Sequence, residues 1–364
     1  MADIIISGYH GFANSGDEAL LFAILSTLRK YKPDLEVTVL SKTPEETARE
    51  YGVNSIFRYN FPKILKEMKN AKMLLFGGGS LLQDVTSSKS LIYYLGIIKL
   101  AQKCKLKTML YANGIGPINK KRNRAMVSRI LNKTDIITLR DDKSDEELKL
   151  LKVTRPKIVI TADPAFTLDT EVSLSGEYFT RRAGVPEGTG LCVVSLRHWK
   201  NASANFIRDV ATLCDYAVEK HGIYPLFVPM QYPDDMDIAE KIMSVMKNKS
   251  YIINRELSVA EMFSVLSEAT LLIGMRLHSL IYATTLEIPA MALVYDPKIS
   301  AFMESLNQPD LINVENFDPD KAKDVLDRMI DQSDNRKKLL HETNADLKKK
   351  AEENAMYAIK LLEN

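Results

Sequence analysis

The chain has 364 residues, of which 46% are hydrophobic, 8% aromatic and 26% charged. That length suits two domains of roughly 100–200 residues, and the composition excludes a disordered chain, a collagen-like chain and a disulfide-stapled miniprotein. Lys+Arg number 49 against 47 Asp+Glu, a net charge of +2 that gives a nucleic-acid partner no support, and three scattered cysteines (Cys104, Cys192, Cys214) fit a reducing cytoplasm.

The opening Met1-Ala2-Asp3 leads into Ile4-Ile5-Ile6, an apolar run too short for a signal-peptide core. No stretch approaches the ~20 apolar residues that span a bilayer. The expectation is a cytoplasmic protein that meets a membrane, if at all, only at its surface.

Apolar runs then alternate with helical patterns. Strands are expected at Ile4–Ser7, Glu36–Leu40, Met73–Phe76, Thr108–Tyr111, Ile136–Leu139 and Ile158–Thr161, with helices such as Asp17–Lys30 and Ser90–Lys103 between them. A second series follows, with strands at Leu191–Leu196, Tyr224–Val228, Leu271–Ile273 and Met291–Val294, and helices at Ala204–Lys220, Met236–Met246 and Val259–Ser267. Strand–helix alternation specifies parallel sheets covered on both faces. The expected fold class is therefore α/β, with two Rossmann-like, doubly wound domains facing a cleft.

Thr170–Gly190 is rich in turn residues and has no sustained period, so residues 171–190 read as a linker between domains at 1–170 and 191–330. Residues 331–364 read as a charged helical segment that either packs back on the first domain or mediates oligomers. Its lysines, Lys337-Lys338 and Lys348-Lys349-Lys350, form a solvated face or meet anionic lipid.

Ligands of doubly wound sheets bind beyond the carboxyl ends of the strands. The first strand ends in Gly8-Tyr9-His10-Gly11-Phe12-Ala13-Asn14-Ser15-Gly16-Asp17-Glu18-Ala19, and a helix follows directly. Free amides at that helix start favour an anion or a hydroxyl-rich acceptor. Asp17 either caps the helix or binds a sugar hydroxyl. The glycine spacing is not G-x-G-x-x-G, which lowers a dinucleotide reading. Phe76-Gly77-Gly78-Gly79-Ser80-Leu81-Leu82-Gln83-Asp84 is either a tight turn or a loop whose backbone a ligand approaches closely. Leu139-Arg140-Asp141 places an arginine at a strand end, where it faces the cleft or pairs with Asp141 or Asp142; Asp163 is expected to bond loop amides.

In the second half, Ser195-Leu196-Arg197, Gly274-Met275-Arg276-Leu277-His278-Ser279 and Tyr295-Asp296-Pro297-Lys298 bring Arg197, Arg276, His278 and Lys298 to successive strand ends. Cations arranged in that way suggest an anion site. His10, His198, His221, His278 and His341 share no metal-ligand spacing, so no metal is expected; Asp234-Asp235 after Pro233 is read as turn chemistry.

Together these segments resemble the polysaccharide pyruvyl transferases, over roughly Ile4 to Lys298. The resemblance implies a GT-B-like architecture. It implies transfer of pyruvate from phosphoenolpyruvate, a co-substrate, to a sugar diol, giving a cyclic ketal and phosphate with no cofactor. In the cell-wall branch of the family the acceptor is an N-acetylmannosamine in a lipid-linked precursor at the cytoplasmic membrane face. The family's functional acid, arginine, histidine and lysine would fall on Asp17, Arg140, His278 and Lys298. Arg140, Arg276 and Lys298, with Arg197, would neutralise phosphoenolpyruvate; His278 would protonate its methylene carbon, and Asp17 would orient or deprotonate the acceptor. Asn14, Ser15, Gly16, Gly77, Gly78, Gly79, Ser80, Gln83 and Ser279 complete the expected substrate contacts. The rival readings are a GT-B glycosyltransferase using a nucleotide sugar and a non-catalytic phosphosugar-binding module.

Overall fold

The structure, a computed structural model, describes residues 2–85, 87–168 and 175–363. The chain divides into one unit of residues 1–168 plus 346–364 and a second of residues 169–345. The second unit thus reaches past residue 330.

The first unit runs β1 (Ile4–His10), α1 (Ser15–Tyr31), β2 (Val37–Ser41), α2 (Pro44–Tyr51), β3 (Asn54–Phe57), α3 (Phe61–Met68), β4 (Met73–Gly77), α4 (Ser88–Lys103), β5 (Lys107–Asn113), α5 (Lys121–Leu131), β6 (Ile136–Leu139), α6 (Asp142–Leu150) and β7 (Lys157–Ile160). Its parallel sheet has the order β3-β2-β1-β4-β5-β6-β7, so the direction of winding reverses between β1 and β4. The central strands β1, β2, β4 and β5 are buried on both faces, which is why they read as unbroken apolar runs, while the edge strands β3 and β7 are partly exposed. Ile5, Leu74 and Phe76 pack with α3 and α4 through Ile64, Leu91 and Tyr94. Ile4, Ile6 and Leu75 pack on the other face with Leu21, Ile24 and Leu28 of α1.

The second unit runs α7 (Gly176–Arg182), β8 (Gly190–Ser195), α8 (Phe206–His221), β9 (Ile223–Phe227), α9 (Met236–Val245), β10 (Tyr251–Ile252), α10 (Val259–Ser267), β11 (Ala269–Gly274), α11 (Leu277–Thr285), β12 (Ala290–Val294), α12 (Pro297–Ser305), β13 (Leu311–Asn313), α13 (Pro319–Asp331) and α14 (Ser333–Glu363). Its parallel sheet is ordered β10-β9-β8-β11-β12-β13 and reverses between β8 and β11. Both sheets are of the expected doubly wound α/β kind.

Part of the expected linker is helix. Residues 169–174 lie outside the described residues, but residues 176–182 form α7 and pack on α10. A side chain on Gly176 would meet the Ser264 carbonyl oxygen at 1.9 Å, so this glycine permits a close helix approach and is no mark of a loose turn. Phe179 is buried and Arg255 lies over its ring at 5.1 Å.

Helix α14 begins within the second unit, where Arg336 pairs with buried Asp310 and Asn344 Nδ2 donates to the Thr284 carbonyl at 2.6 Å. From Asp346 it belongs to the first unit. Ala351 is buried, and Ala355, Ala358 and Leu361 join the α1 face of that unit's core. Among them Asn354 is fully buried: it accepts the Thr161 hydroxyl at 2.8 Å and donates to the Ala162 carbonyl at 3.2 Å. Among the described residues no helix is long and apolar enough to cross a membrane.

Asn354→Ala removes both bonds and strands buried polar groups at the end of β7. It is expected to destabilise the first unit by about 1–3 kcal/mol, read from urea unfolding. An unchanged midpoint would show that α14 is not anchored there.

Candidate active site

Both reversal points carry the segments singled out above. In the first unit, Asn14 is the N-cap of α1: its side-chain oxygen accepts the Gly16 and Asp17 amides at 3.1 and 3.4 Å, and its carbonyl accepts the Glu18 amide at 3.0 Å. Three amides at this helix start are therefore engaged, and the expected anion cradle at Asn14 and Gly16 is closed by the chain's own cap. Asp17 is the third helical residue and not the cap. It is half-buried, and a side-chain carbon on Gly79 would lie 3.4 Å from its carboxylate, so it borders the glycine loop after β4. Ser15 is buried in the same turn.

Glu18, absent from the expected set, fixes this loop. It accepts the Gly11 amide at 2.8 Å and the Tyr51 hydroxyl at 3.0 Å, and burial lifts its pKa above the usual carboxylate value. Tyr51 lies far along the chain, so nothing in the local motif signals the contact.

The glycine triplet is shaped by packing. Gly78 and Gly79 have φ of +61° and +73°, and a side chain on Gly78 would come within 2.8 Å of Leu20 on α1. A side chain on Gly77 would meet Ile24 at 3.0 Å. The Gly78 carbonyl accepts from Asn113 Nδ2 at 2.9 Å, and the Gly79 carbonyl from the Gly114 amide at 3.0 Å. Gln83 takes the Val85 amide at 2.7 Å. The tight-turn reading accounts for Gly77 and Gly78, while Gly79 faces Asp17.

Arg140 does not stand open. Its Nη1 lies 3.0 Å from Asp163 Oδ2, with both side chains less than a tenth exposed (6% and 4%), and its Nη2 donates to Ser80 Oγ at 2.7 Å. Asp163 also takes the Ala165 amide, as expected of a loop anchor. Its Nε also lies 3.6 Å from Asp141, so the expected pairing with Asp141 is present as well. Arg140 thus ties the loops after β4, β6 and β7 together, and its charge is taken up by Asp163 and Asp141. Ser80 belongs to this brace.

The second unit repeats the device. Arg276, the N-cap residue of α11, donates from Nε and Nη2 to the two Asp235 oxygens at 2.8 and 2.5 Å, and from Nη2 to Gln231 Oε1 at 3.2 Å. Asp235 also accepts the Gln231 amide at 2.9 Å, and its side chain is 2% exposed. Asp235 is therefore the counter-ion of Arg276 and not a turn residue alone, and Arg276 is largely neutralised before any ligand arrives. Ser279 is fully buried and donates to the Arg276 carbonyl at 2.6 Å, which makes it part of the α11 turn and removes it from the substrate contacts. Lys298 is 40% exposed and lies 3.3 Å from Asp296, which caps α12.

Arg197 is different. Its Nη1 donates to the Tyr295 hydroxyl at 3.3 Å, and its guanidinium lies 5.4 Å from the Tyr295 ring centroid. Tyr295 in turn packs on Trp199 at 4.8 Å. Among the described residues Arg197 has no carboxylate partner. It follows β8, and Arg276 and His278 follow β11, so the three flank the reversal point of this sheet.

The five histidines sort cleanly. His10 is fully buried and its pKa is pushed down to about 3, by burial and then by the Arg58 charge, so it stays neutral. His198 is exposed and paired with Asp237, His221 sits 2.7 Å from Asp327, and His341 2.6 Å from Glu287. His278, the second residue of α11, is half-buried, with its ring 6.3 Å from that of Tyr282. His198, next to Arg197, lies near the same reversal point but is taken up by Asp237, whereas His278 sits at the start of α11.

The fold places the chain in a class. A UDP-GlcNAc 2-epimerase of Neisseria meningitidis, solved bound to UDP-GlcNAc, is 10% identical with a TM-score of 0.66, over 99% of this chain and 100% of that one. Alr3699/HepE of Anabaena, solved with UDP and glucose, is 8% identical with a TM-score of 0.66, over the whole of both chains. Identities this low establish the fold alone, which is that of GT-B-type epimerases and glycosyltransferases.

Sequence goes further. A profile of the polysaccharide pyruvyl transferases matches residues 14–297, a span that runs from the α1 cap to the first residue of α12. The chain belongs to the polysaccharide pyruvyl transferase family. It is also 21% identical over 380 aligned positions to the amylovoran biosynthesis protein AmsJ of Erwinia amylovora, covering 85% of this chain and 87% of AmsJ.

Asp235→Ala leaves the Arg276 guanidinium buried and unpaired. The expected loss of stability is about 3–5 kcal/mol, and Arg276→Met added to it should restore much of that loss. Equal unfolding midpoints for wild type and Asp235→Ala would show that the pair does not organise this edge.

Proposed function

We propose that this family member transfers a pyruvyl group from phosphoenolpyruvate to two hydroxyls of one sugar, releasing phosphate and leaving a cyclic ketal. The observation that carries the reading is Arg197. It is a guanidinium at the reversal point of the second sheet with no carboxylate partner among the described residues, and the neighbouring strand β11 leads to His278. A donor with a phosphate and a carboxylate on three carbons calls for such a cation, and a planar fork suits either group. Lys298, partly exposed and only loosely paired, supplies a second charge. Arg276 and Arg140 act through their buried carboxylates as positioning residues for the loops that carry His278 and Ser80.

His278 as imidazolium gives its proton to the methylene carbon, and positive charge develops at the central carbon. One acceptor hydroxyl, oriented by Asp17, adds there. The second hydroxyl then displaces phosphate through cleavage of the carbon–oxygen bond. Of the two hydroxyl protons lost, one replaces the proton given to the methyl group and the other leaves with phosphate. Holding the diol against the bound donor supplies much of the rate. The scheme calls on no resident cofactor or metal.

The finer reading takes the acceptor as an N-acetylmannosamine of a lipid-linked cell-wall precursor, made by a cytoplasmic enzyme in peripheral contact with the membrane face. It rests on the resemblance to the cell-wall branch of the family, and on α14 exposing Lys348, Lys349 and Lys350, the last paired with Asp346.

The test supplies phosphoenolpyruvate or a UDP-sugar, separately, with candidate lipid-linked acceptors, and follows phosphate release and the acceptor's mass. Pyruvate added to the acceptor only with phosphoenolpyruvate is expected; sugar added only with the UDP-sugar overturns the reading. His278→Ala is expected to lower turnover roughly 10²–10⁴-fold while phosphoenolpyruvate binding survives. Near wild-type turnover in that variant removes His278 from the chemistry.

A further inference from the structure

A second set of cations without carboxylate partners lies in the first unit, at the carboxyl edge formed by β1, β2 and β3. Arg58 directly follows β3 and its amide donates to the Ser41 carbonyl at 2.9 Å. Its side chain is buried, the residue being 3% exposed. Nη2 donates to the Tyr94 hydroxyl at 3.1 Å, whereas Nε and Nη1 have no hydrogen-bond partner. The guanidinium lies 4.5 Å from the ring centroid of Tyr93, 5.1 Å from Phe12, 5.3 Å from Tyr94 and 5.4 Å from Tyr59. Among the described residues no carboxylate pairs with it.

Lys42, exposed at the end of β2, sits 4.9 Å from the same Phe12 ring, and among the described residues it too has no carboxylate partner. Phe12 is stacked on Tyr9 with centroids 3.9 Å apart and planes 7° apart. Tyr9 lies near the end of β1 and Phe12 in the loop that follows it, which ends at Asn14 and leads to Asp17. Tyr94 links the cluster to the end of β1: its hydroxyl donates to the Gly8 carbonyl at 3.4 Å.

A buried guanidinium with two unbonded nitrogens and no counter-ion is costly, and aromatic faces recover only part of that cost. Arg140 and Arg276, less deeply enclosed than Arg58, each hold an Asp; Arg58 holds none among the described residues. The positive potential it leaves is shared with Lys42 and centred on an aromatic pair. An anion satisfies the charge; Phe12 is sandwiched between Tyr9 and the cations, and the outer face of Tyr9 with half-exposed Tyr59 matches the C–H face of a sugar ring.

The geometry points to an acceptor subsite on the first unit for a saccharide that carries an anionic group, phosphate or carboxylate. Lys42 contacts the anion, Arg58 acts on it from beneath the aromatic layer, and Tyr9 and Tyr59 receive the sugar ring. Taking that saccharide as part of the acceptor rests on the pyruvyl-transfer reading above; the binding itself does not.

Calorimetric titration of the full chain tests it, with a hexosamine 1-phosphate, the same hexosamine unphosphorylated, a hexuronate and inorganic phosphate as probes. The phosphorylated or the uronic sugar is expected to bind at least about tenfold tighter than the neutral one, and the stronger of the two identifies the anionic group. Lys42→Met, an exposed change that leaves the core intact, is expected to weaken the anionic sugar about tenfold and leave the neutral sugar unchanged. Arg58→Met is expected to do the same with no loss of thermal stability.

Equal affinity for charged and neutral sugars overturns the subsite, as does an unchanged affinity in Lys42→Met. Inorganic phosphate binding as tightly as the sugar phosphate overturns its saccharide character. Phosphoenolpyruvate-dependent transfer is measured in parallel on the same protein. Loss of the subsite with transfer intact refutes this inference alone, and binding intact without transfer refutes the functional reading alone.

Discussion

The whole arrangement depends on how arginine charge is disposed at the carboxyl edges of two parallel sheets. Each edge holds one buried guanidinium–carboxylate pair, Arg140–Asp163 and Arg276–Asp235. Such pairs add little net stability, because desolvation offsets their attraction, but removing one partner is severe. Their value here is geometric. Asp163 and Asp235 hold the arginines in place, the arginines hold Ser80 and Gln231, and through them the loops at each reversal point keep one shape. With those two charges neutralised, the cations proposed above to meet ligands are Arg197, Lys298, Lys42 and Arg58.

The pattern separates two kinds of arginine that look alike in a strand-end motif. Arg276 sits in Gly274-Met275-Arg276-Leu277-His278, the most distinctive segment of the chain, yet its side chain is turned to Asp235. Arg197 sits in a plainer segment and keeps its charge. Motif prominence therefore marks what the fold needs as readily as what the substrate touches. Ser279 and Asn14 teach the same lesson, since each spends its side chain on the backbone of its own helix start.

Much of the fold was legible because parallel strands buried on both faces write themselves as apolar runs. Elements that lack that character were missed. β3 is partly exposed, and β10 and β13 are two and three residues long. α7 was hidden by Gly176, whose close contact with α10 mimics a turn signal. The strand-end positions of Asp17, Arg140, Arg197, Arg276, His278 and Lys298 were legible for the same reason that the strands were. Their partners were not: Asp163 for Arg140, Asp235 for Arg276 and Tyr51 for Glu18 are pairings across loops, and spacing along the chain carries no trace of them. Arg58 follows β3, whose partly exposed residues form no apolar run, so it carries no strand-end signal in the sequence.

The central claim is that Arg197, as the uncompensated guanidinium of the second sheet, provides the main charge for the donor. Calorimetric titration of phosphoenolpyruvate into wild type and Arg197→Met measures this directly. The account predicts an affinity lower by roughly tenfold or more in the variant, with its fold unchanged. The same dissociation constant for both proteins would contradict it.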